Sequence, residues 1–598
     1  MSHKMAQKRR AIEDLVQRAT ESKIKKFESI RGKQVINIPY WDIVVITAGD
    51  EDQKNAYDLQ LKEKLARQQL PLGTKYHVLK DPGDVKIGPG GSMMAALSYL
   101  QTIYNQSLFT KKVLFIPAGG YSQRLPSASL LGKVFTAVPY GRPIYQMLEL
   151  ILAMYIDLPA HMVSGGIFLA CSDVIILYDC TVGVEWSFDK PGITAFGHPA
   201  PIKIGTTHGV FLYKDTPNVC SQVHIVECEE FLHKRSEDVL REKGALLPQT
   251  CQQTLGISGD YVLVDSGYFM DGETAKKLIE FYEERSPLSC EIDSHGDFLH
   301  GLGNCGNSSY INDMSNVSSK TDKLLSMRQE VFKLFQGTPL HVLVLPYSMF
   351  YHVGTTEELL DHFCDNCSLR RELNLTKDAF NRSVDLGIGD TMLDASSARE
   401  ACVMNSIVPK GMDTRKACIV EYCYFKTICS VGERCIVSNC VIQAPSSGCP
   451  VSIPPFTFLH TAAVKPKEGS TLYVTIFFDI RDNLKRAVPQ LEAAGQLLFL
   501  NKTLQVVFNN FNHTSLQAIF PGNTALSIWN AKLFPPKETM EQSFQTTMQF
   551  LEEVHSANPD PHSLVGEGCL SMADVLKCKD IEAMLKYRKQ LYSMILSG

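Results

Sequence analysis

No stretch of this chain approaches the roughly 18 uninterrupted apolar residues that a membrane-spanning helix requires. The first 33 residues, MSHKMAQKRRAIEDLVQRATESKIKKFESIRGK, carry a charge every few positions and no apolar run. They read as neither signal peptide nor membrane anchor, so the expected location is cytoplasmic. Basic excess is also missing. The 59 Lys and Arg are outnumbered by 64 Asp and Glu, for a net charge of −5, which argues against the basic face of a nucleic-acid binder. A local basic pocket for a small anion is still compatible with that total. Paired cysteine motifs are lacking too. Cys364 and Cys367 form a lone CxxC with no second pair at zinc spacing, so packing is the expected role. Without a secretion route the 18 cysteines should be mostly reduced thiols.

What is present is an ordinary globular composition. The 44% apolar content allows a large core, and 598 residues suggest roughly two to four domains. Residues 1–33 read as a charged helical lead-in. From Trp41 to about residue 360, strand-like runs alternate with helical patterns: WDIVVITAG, then DQKNAYDLQLKEKLARQQL ended by Pro71, KYHVLK, SMMAALSYLQTIY and KKVLFIPAGG. Such alternation predicts a doubly wound, mostly parallel α/β sheet, with ligands beyond the carboxyl ends of its strands. Thr355 and Glu358 have capping-box spacing for a helix start. Residues 34–395 are read as this domain.

Residues 396–470 carry a different rhythm. In IVEYCYFKTICSVGERCIVSNCVI, Ile419, Phe425, Val431 and Val437 recur every six residues, and Cys423, Cys429 and Cys435 keep the same step. Period six fits neither a helix nor one long strand, and suits a parallel β-helix with stacked apolar ladders; an ordinary antiparallel sheet is the alternative. Residues 471–598 mix strands and helices into a C-terminal α+β segment without evident chemistry. No histidine occurs from residue 363 to 459, which leaves acyl transfer on the rungs without a base.

One segment stands out, VLFIPAGGYSQRLPSASLLGK at 113–133. A glycine pair after a strand lets backbone N–H groups face one concavity, a setting that favours phosphate at a helix start. Arg124 supplies a planar fork and Lys133 a point charge, enough to hold a triphosphate from two sides. The P-loop pattern fails, because Gly132-Lys133 is followed by Val134, and the dinucleotide fingerprint fails at GPGGSM. A plain turn with a surface arginine is the bland reading. Downstream, Asp173 ends an apolar run where a carboxylate can hold Mg²⁺, Lys234 follows EFLH, and Glu291, Asp293 and Asp297 offer a second carboxylate. Each alone is equally a turn or surface residue; their order is the signal.

That order resembles the sugar-nucleotide pyrophosphorylases. Their glycine-rich motif with arginine and a later lysine is similar to Gly119–Lys133. Their metal aspartates match Asp173 and Asp293, and their glutamate-lysine-proline motif matches HKR at 233–235. Their asparagine-alanine-glycine strand matches DSGYF. Within that group the chain most resembles the GDP-L-fucose pyrophosphorylase family, through WDIVVITAGDEDQ, KIGPGGS, AGGYSQRLPSASLLGK, KPGITAFGHP, IGTTHGVF and CEIDSHGDFL in sequence, and through RDNLKR and SIWNAKLFP near the C-terminus. The resemblance implies a Rossmann-like, GT-A-like nucleotidyltransferase domain followed by a short left-handed parallel β-helix. It implies GTP and L-fucose 1-phosphate as substrates, Mg²⁺ as cofactor, and GDP-L-fucose with pyrophosphate as products, in salvage of free fucose.

The implied roles are specific. Gly119, Gly120 and Arg124 take the leaving phosphates, Lys133 the α-phosphate, Lys234 the sugar phosphate, and Asp173 and Asp293 the metal. Gly88, Gly90, Gly91 and Ser92, at a helix start, face the nucleotide at base, ribose or phosphate. His208, Gly209 and Glu291 belong to the sugar side, with an ordinary turn at 208–209 as the alternative. Three residues depart from the family pattern: Met93, Val174 and Arg235, the first two beside the implied nucleotide and metal positions. Base and sugar choice rest on resemblance, so a GDP-mannose or UDP-sugar pyrophosphorylase, or a catalytically silent GDP-sugar-binding protein, are the other readings. The oligomeric state is open.

Overall fold

The run IVVITA, Ile43–Ala48, is buried at every position, as expected of a strand with parallel partners on both edges. It pairs in parallel with Lys75–Lys80 on one side and Lys112–Ile116 on the other. The computed structural model describes residues 3–597 except 84, 184, 214–219, 304, 314–320, 365–366, 387–400, 411, 413–416, 446–449, 467–468, 510–514, 523–525 and 556–567. The boundary expected between residues 395 and 396 lies outside the described residues. The chain forms two units: Met1–Gly120 with Met147–His352, and Tyr121–Gln146 with Val353–Gly598.

The first unit holds a ten-stranded sheet. Its order is Tyr261–Val264, Gly209–Tyr213, His224–His233, Leu340–Val344, Ile193–Pro201, Tyr268–Met270, Gly166–Leu169, Lys112–Ile116, Ile43–Ala48, Lys75–Lys80. The last four run parallel, joined by the helices Glu51–Ala66 and Gly88–Tyr104 and by the stretch that follows residue 120. The other half is mostly antiparallel: Tyr268–Met270 opposes both neighbours, and Gly209–Tyr213 returns along His224–His233. The mostly parallel expectation therefore holds on one half only. Past residue 190 the strand Gly209–Tyr213 returns antiparallel along His224–His233, and a parallel pairing reappears only where a long helical connection, with Gly272–Arg285 and Asp322–Phe335, leads to Leu340–Val344 beside Ile193–Pro201. The charged lead-in is the helix His3–Ile30, which buries Ile12, Val16, Thr20, Lys23, Ile24 and Phe27. Lys23 Nζ donates to the Tyr178 carbonyl at 2.9 Å.

In the second unit, strands of two or three residues stack in three parallel ladders. One contains Asp378–Ala379, Cys402–Met404, Ile419–Glu421, Ile436–Ser438 and Thr457–Val464, and is extended antiparallel by Leu472–Asp479. Ile419 pairs with Ile436 and Val420 with Val437, a step of 17 residues. Three strands per coil explain the sixfold rhythm, and the one-residue shortfall explains why Val437 lies beside Val420 instead of Ile419. Left-handed corners recur with the same step at Asn405 (φ 47°), Tyr422 (φ 52°) and Asn439 (φ 57°). Cys423, Cys429 and Cys435 are fully buried free thiols, the ladder role expected of them. Thr355 caps the helix Thr356–Phe363: its Oγ1 accepts the Glu358 N–H at 3.1 Å, and Glu358 Oε2 accepts the Gly354 N–H at 3.0 Å. Phe477, Phe499, Phe534 and Phe550 gather in one aromatic cluster behind the coil stack. No described helix is long and apolar enough to cross a membrane.

Candidate active site

Asp173 immediately precedes the strand Val174–Tyr178, half-buried. Its Oδ2 lies 3.8 Å from Nε2 of His352, a residue that pairs across the ladder with Val174. The His352 ring lies 5.8 Å from that of His208, which sits edge-on to Phe350 at 4.9 Å. His208 is half-buried. Desolvation lowers its pKa, opposed by the Asp265 carboxylate, so the ring is neutral at pH 7. The His208 carbonyl accepts the Lys234 N–H at 2.9 Å. Lys234 stands exposed with φ 51°, and its ammonium forms no ion pair with a described residue. Loop and strand end thus place the exposed Lys234 next to His208 in the fold.

Gly209 is where backbone and side chain exchange bonds with Asp265. Its N–H donates to Asp265 Oδ1 at 2.8 Å, and its carbonyl accepts the Asp265 N–H at 2.9 Å. A Cβ at 209 would fall 2.2 Å from the Phe231 ring, so the missing side chain makes room for the core, whatever the ligand.

A second group surrounds Asp293. Its Oδ1 accepts N–H bonds from His295 at 2.9 Å and Gly296 at 2.6 Å. Burial favours the protonated acid, yet the neighbouring His233 and His295 and the Gly296 N–H outweigh it, and the pKa falls below the ordinary carboxylate value. His233 is lowered to about 4 by burial, against the pull of Asp293. Asp297 is engaged differently, with Oδ2 accepting the Asp293 N–H at 2.7 Å and Oδ1 in charge contact with Arg328 Nε at 2.9 Å. Glu291 lies half-buried two residues upstream of Asp293.

The loop Gly88–Ser92 opens the helix Gly88–Tyr104, as expected, and packs directly on this group. The Gly90 N–H donates to the Ile292 carbonyl at 2.8 Å, and the Ile292 N–H to the Ile87 carbonyl at 2.8 Å. A Cβ at Gly88 would meet the Ile292 oxygen at 2.5 Å, one at Gly90 the same atom at 2.9 Å, and one at Gly91 Ile87 Cβ at 2.8 Å. These glycines seat the segment that carries Asp293. Ser92 Oγ donates to Asp81, whose pKa burial raises to about 6. Met93 is fully buried, its sulfur 3.8 Å from the Tyr268 hydroxyl. Val174 is buried opposite His352, and Arg235 pairs with Asp313 at 2.8 Å. All three departures from the family pattern are thus packed or paired.

The glycine turn at 119–120 is braced from below. Tyr57 donates its hydroxyl to the Ala118 carbonyl at 2.8 Å, and the Ala118 N–H reaches Thr47 Oγ1 at 3.1 Å. Gly119 touches the backbone of Gly49, where a Cβ on Gly119 would lie 3.0 Å from the Gly49 nitrogen; Gly120 is exposed with open space around it. Arg124 and Lys133 belong to the second unit. Arg124 is exposed and its carbonyl accepts the Thr356 N–H at 3.0 Å. Lys133 is half-buried at the start of the 3₁₀ turn Lys133–Phe135.

Sequence reasoning passed over a buried relay. His198 Nδ1 lies 3.0 Å from Ser348 Oγ and Nε2 2.7 Å from Ser266 Oγ. Ser348 donates its own proton to the Leu345 carbonyl at 2.6 Å, so its oxygen must accept from His198 Nδ1–H. Nε2 then carries the lone pair and accepts the Ser266 hydroxyl proton. Desolvation lowers His198 to about 3, which keeps the ring neutral in that tautomer. The one sequence signal was the KPGITAFGHP motif itself. His233 and Asp265 lay inside the motifs HKR and DSGYF without a role assigned to them, and His352 was missed because its stretch, the strand Ser348–His352, carries no motif.

Mg²⁺ commonly takes one or two carboxylates and completes its shell with waters and phosphate oxygens. Among the described residues no group of three or more His, Cys, Asp or Glu side chains is arranged to hold a metal. Among the described residues both N–H bonds to Asp293 land on Oδ1, and its Oδ2 is a donor atom of the kind Mg²⁺ takes.

The profile of the fucose pyrophosphorylase domain matches residues 105–539. The chain belongs to the fucose pyrophosphorylase family. It is 39% identical over 592 residues to the fucose-1-phosphate guanylyltransferase of Mus musculus, covering 97% of this chain and 98% of that protein. Against the Homo sapiens fucose-1-phosphate guanylyltransferase the identity is 39% over 600 residues, 98% and 96% of the two chains. The bifunctional fucokinase/GDP-fucose pyrophosphorylase of Arabidopsis thaliana is 23% identical over 539 residues, which is 83% of this chain and 47% of that protein.

Proposed function

We propose that this protein is a nucleotidyltransferase that forms GDP-L-fucose and pyrophosphate from GTP and L-fucose 1-phosphate, in salvage of free fucose. The observation that carries the reading is the near-complete alignment with two guanylyltransferases at 39% identity. In the reaction a phosphate oxygen of the sugar phosphate bonds to the α-phosphorus of GTP. The bond from that phosphorus to the β-phosphate bridging oxygen breaks, and pyrophosphate departs with the electron pair. The attacking oxygen is already anionic, so no base is required. The barrier lies in bringing two polyanions into line, which calls for cations and fixed N–H donors.

Each residue then has a task. Gly119, Gly120 and Arg124 bind the departing β- and γ-phosphates, and Lys133 offsets charge at the α-phosphate. Lys234, exposed and without an ion-pair partner among the described residues, binds the sugar phosphate, with His208 and Glu291 on the sugar side. Asp173 and Asp293 would hold Mg²⁺, which when bound neutralises phosphate charge. Gly88, Gly90, Gly91 and Ser92 hold the Asp293 segment beside the nucleotide. The fold reading is a GT-A-like nucleotidyltransferase domain with a left-handed parallel β-helix; the four parallel strands, one of which leads into the glycine turn, and the three parallel ladders support it. The free thiols among the described cysteines support a cytoplasmic location.

The test is product identification. Incubated with GTP, L-fucose 1-phosphate and Mg²⁺, the protein should yield GDP-L-fucose by mass spectrometry with an equal amount of pyrophosphate. Absence of both products rules the reading out.

A further inference from the structure

One set of left-handed corners along the coil stack is Asn405, Tyr422 and Asn439; the two asparagines tolerate positive φ, and the middle one is Tyr422 (φ 52°). A bulky residue in that region is strained, on the order of 1–3 kcal/mol, and persists only when its surroundings hold it. The surroundings of Tyr422 are on the page. The Arg588 guanidinium lies 3.8 Å from its ring centroid, while Arg588 Nε reaches Asn439 Oδ1, the next corner, at 3.2 Å. Tyr587 donates its hydroxyl to the Tyr422 carbonyl at 3.0 Å. Both come from the C-terminal helix Ile581–Leu596, which is further held by Arg382 donating to the Met594 carbonyl at 2.9 Å and by Phe380 stacked on Tyr592 at 4.8 Å.

The other end of Tyr422 faces the cationic segment. Its hydroxyl accepts from Gln146 Nε2 at 3.3 Å. Gln146 ends the strand Tyr145–Gln146, which pairs with Ala137–Val138, and the latter follows directly on the 3₁₀ turn that begins at Lys133. Ser127, Gly132, Phe135, Glu421, Tyr422 and Arg588 line one cavity of about 10 Å³, room for a single water at most. The segment from Arg124 to Lys133 therefore packs closely on the corner that the C-terminal helix clamps.

We propose that Tyr422 and Arg588 are positioning residues, through which the C-terminal helix holds the 121–146 segment, and with it Arg124 and Lys133, in the conformation that binds the phosphates of GTP. This rests on the functional reading above and gives the last stretch of the chain a part in it.

Tyr422→Asn is the informative variant. Asparagine suits the corner as well as Asn405 and Asn439 do, so the backbone is kept while the ring and hydroxyl are lost. Tyr422→Asn and Arg588→Gln should each raise the KM for GTP about tenfold, as expected when a catalytic group is misplaced from a distance. The KM for L-fucose 1-phosphate should stay within about twofold of wild type, and Arg588→Lys should recover part of the loss through its retained cation–π contact. GTP affinity by calorimetry, without sugar phosphate, should fall in parallel. An unchanged KM and affinity for GTP, or equal rises in both KM values with a lowered Tm, overturns the proposal. Wild-type protein that neither binds nor turns over GTP overturns the functional reading instead, and the two failures are told apart by which protein shows them.

Discussion

Asp297 and Arg328 face each other at 2.9 Å with almost no exposed surface on either side chain. That contact distinguishes two aspartates four residues apart. Asp297 is engaged by Arg328 and by the Asp293 N–H, while among the described residues both N–H bonds to Asp293 fall on Oδ1. Removing one member of a buried pair leaves an uncompensated charge and costs about 3–5 kcal/mol. Asp297→Asn should therefore lower the urea midpoint of unfolding markedly. Asp293→Asn keeps an Oδ1 acceptor for the His295 and Gly296 N–H groups, so it should retain the midpoint and lose activity by a factor on the order of 10². Equilibrium unfolding and initial-rate measurements on the two variants check this.

Buried neutral histidines predict an acid limb of stability. His198 and His460 are each lowered to about 3 by burial, below the ordinary value of about 6.5 in an unfolded chain. The unfolded state binds the proton first, so stability from these rings is full above about pH 6.5 and is lost as pH falls toward 3. By pH 5 each contributes a loss of about 2 kcal/mol. His198→Phe and His460→Phe should flatten the dependence of unfolding free energy on pH between 7 and 5, whatever their absolute stability. Slopes equal to wild type would contradict it.

Lys234 is exposed and has no ion-pair partner among the described residues, so its side chain does little for the fold. Lys234→Met should leave Tm within about 2 °C, a surface-substitution effect, and raise the KM for L-fucose 1-phosphate by roughly tenfold or more through loss of a charge-assisted contact. The KM for GTP should change far less. Steady-state kinetics with each substrate varied in turn separates the two.

Local signals were readable wherever the responsible atoms are close in sequence. The helix start at Gly88, the glycine turn at 119–120 and both halves of the Thr355–Glu358 cap are such cases, since each depends on a few neighbouring residues. The stack of short strands was visible in its rhythm. Its true step of 17 was not, because Tyr422 interrupts the asparagines at the corners Asn405 and Asn439. The choice between Asp293 and Asp297 depends on Arg328, which reaches Asp297 only through the tertiary fold. The contact of Gly90, whose N–H is bonded to the Ile292 carbonyl, was equally hidden because Ile292 is distant in sequence. His198 was hidden for the same reason as Arg328, since its partners Ser266 and Ser348 come from distant segments.

The account stands or falls on pyrophosphate release measured across GTP, ATP, CTP and UTP with L-fucose 1-phosphate and with mannose 1-phosphate, for wild type and for Asp173→Ala. The prediction is rapid release with GTP and L-fucose 1-phosphate, and a rate lower by a factor on the order of 10² or more in the variant. Equal release with all four triphosphates, or an Asp173→Ala rate equal to wild type, contradicts it.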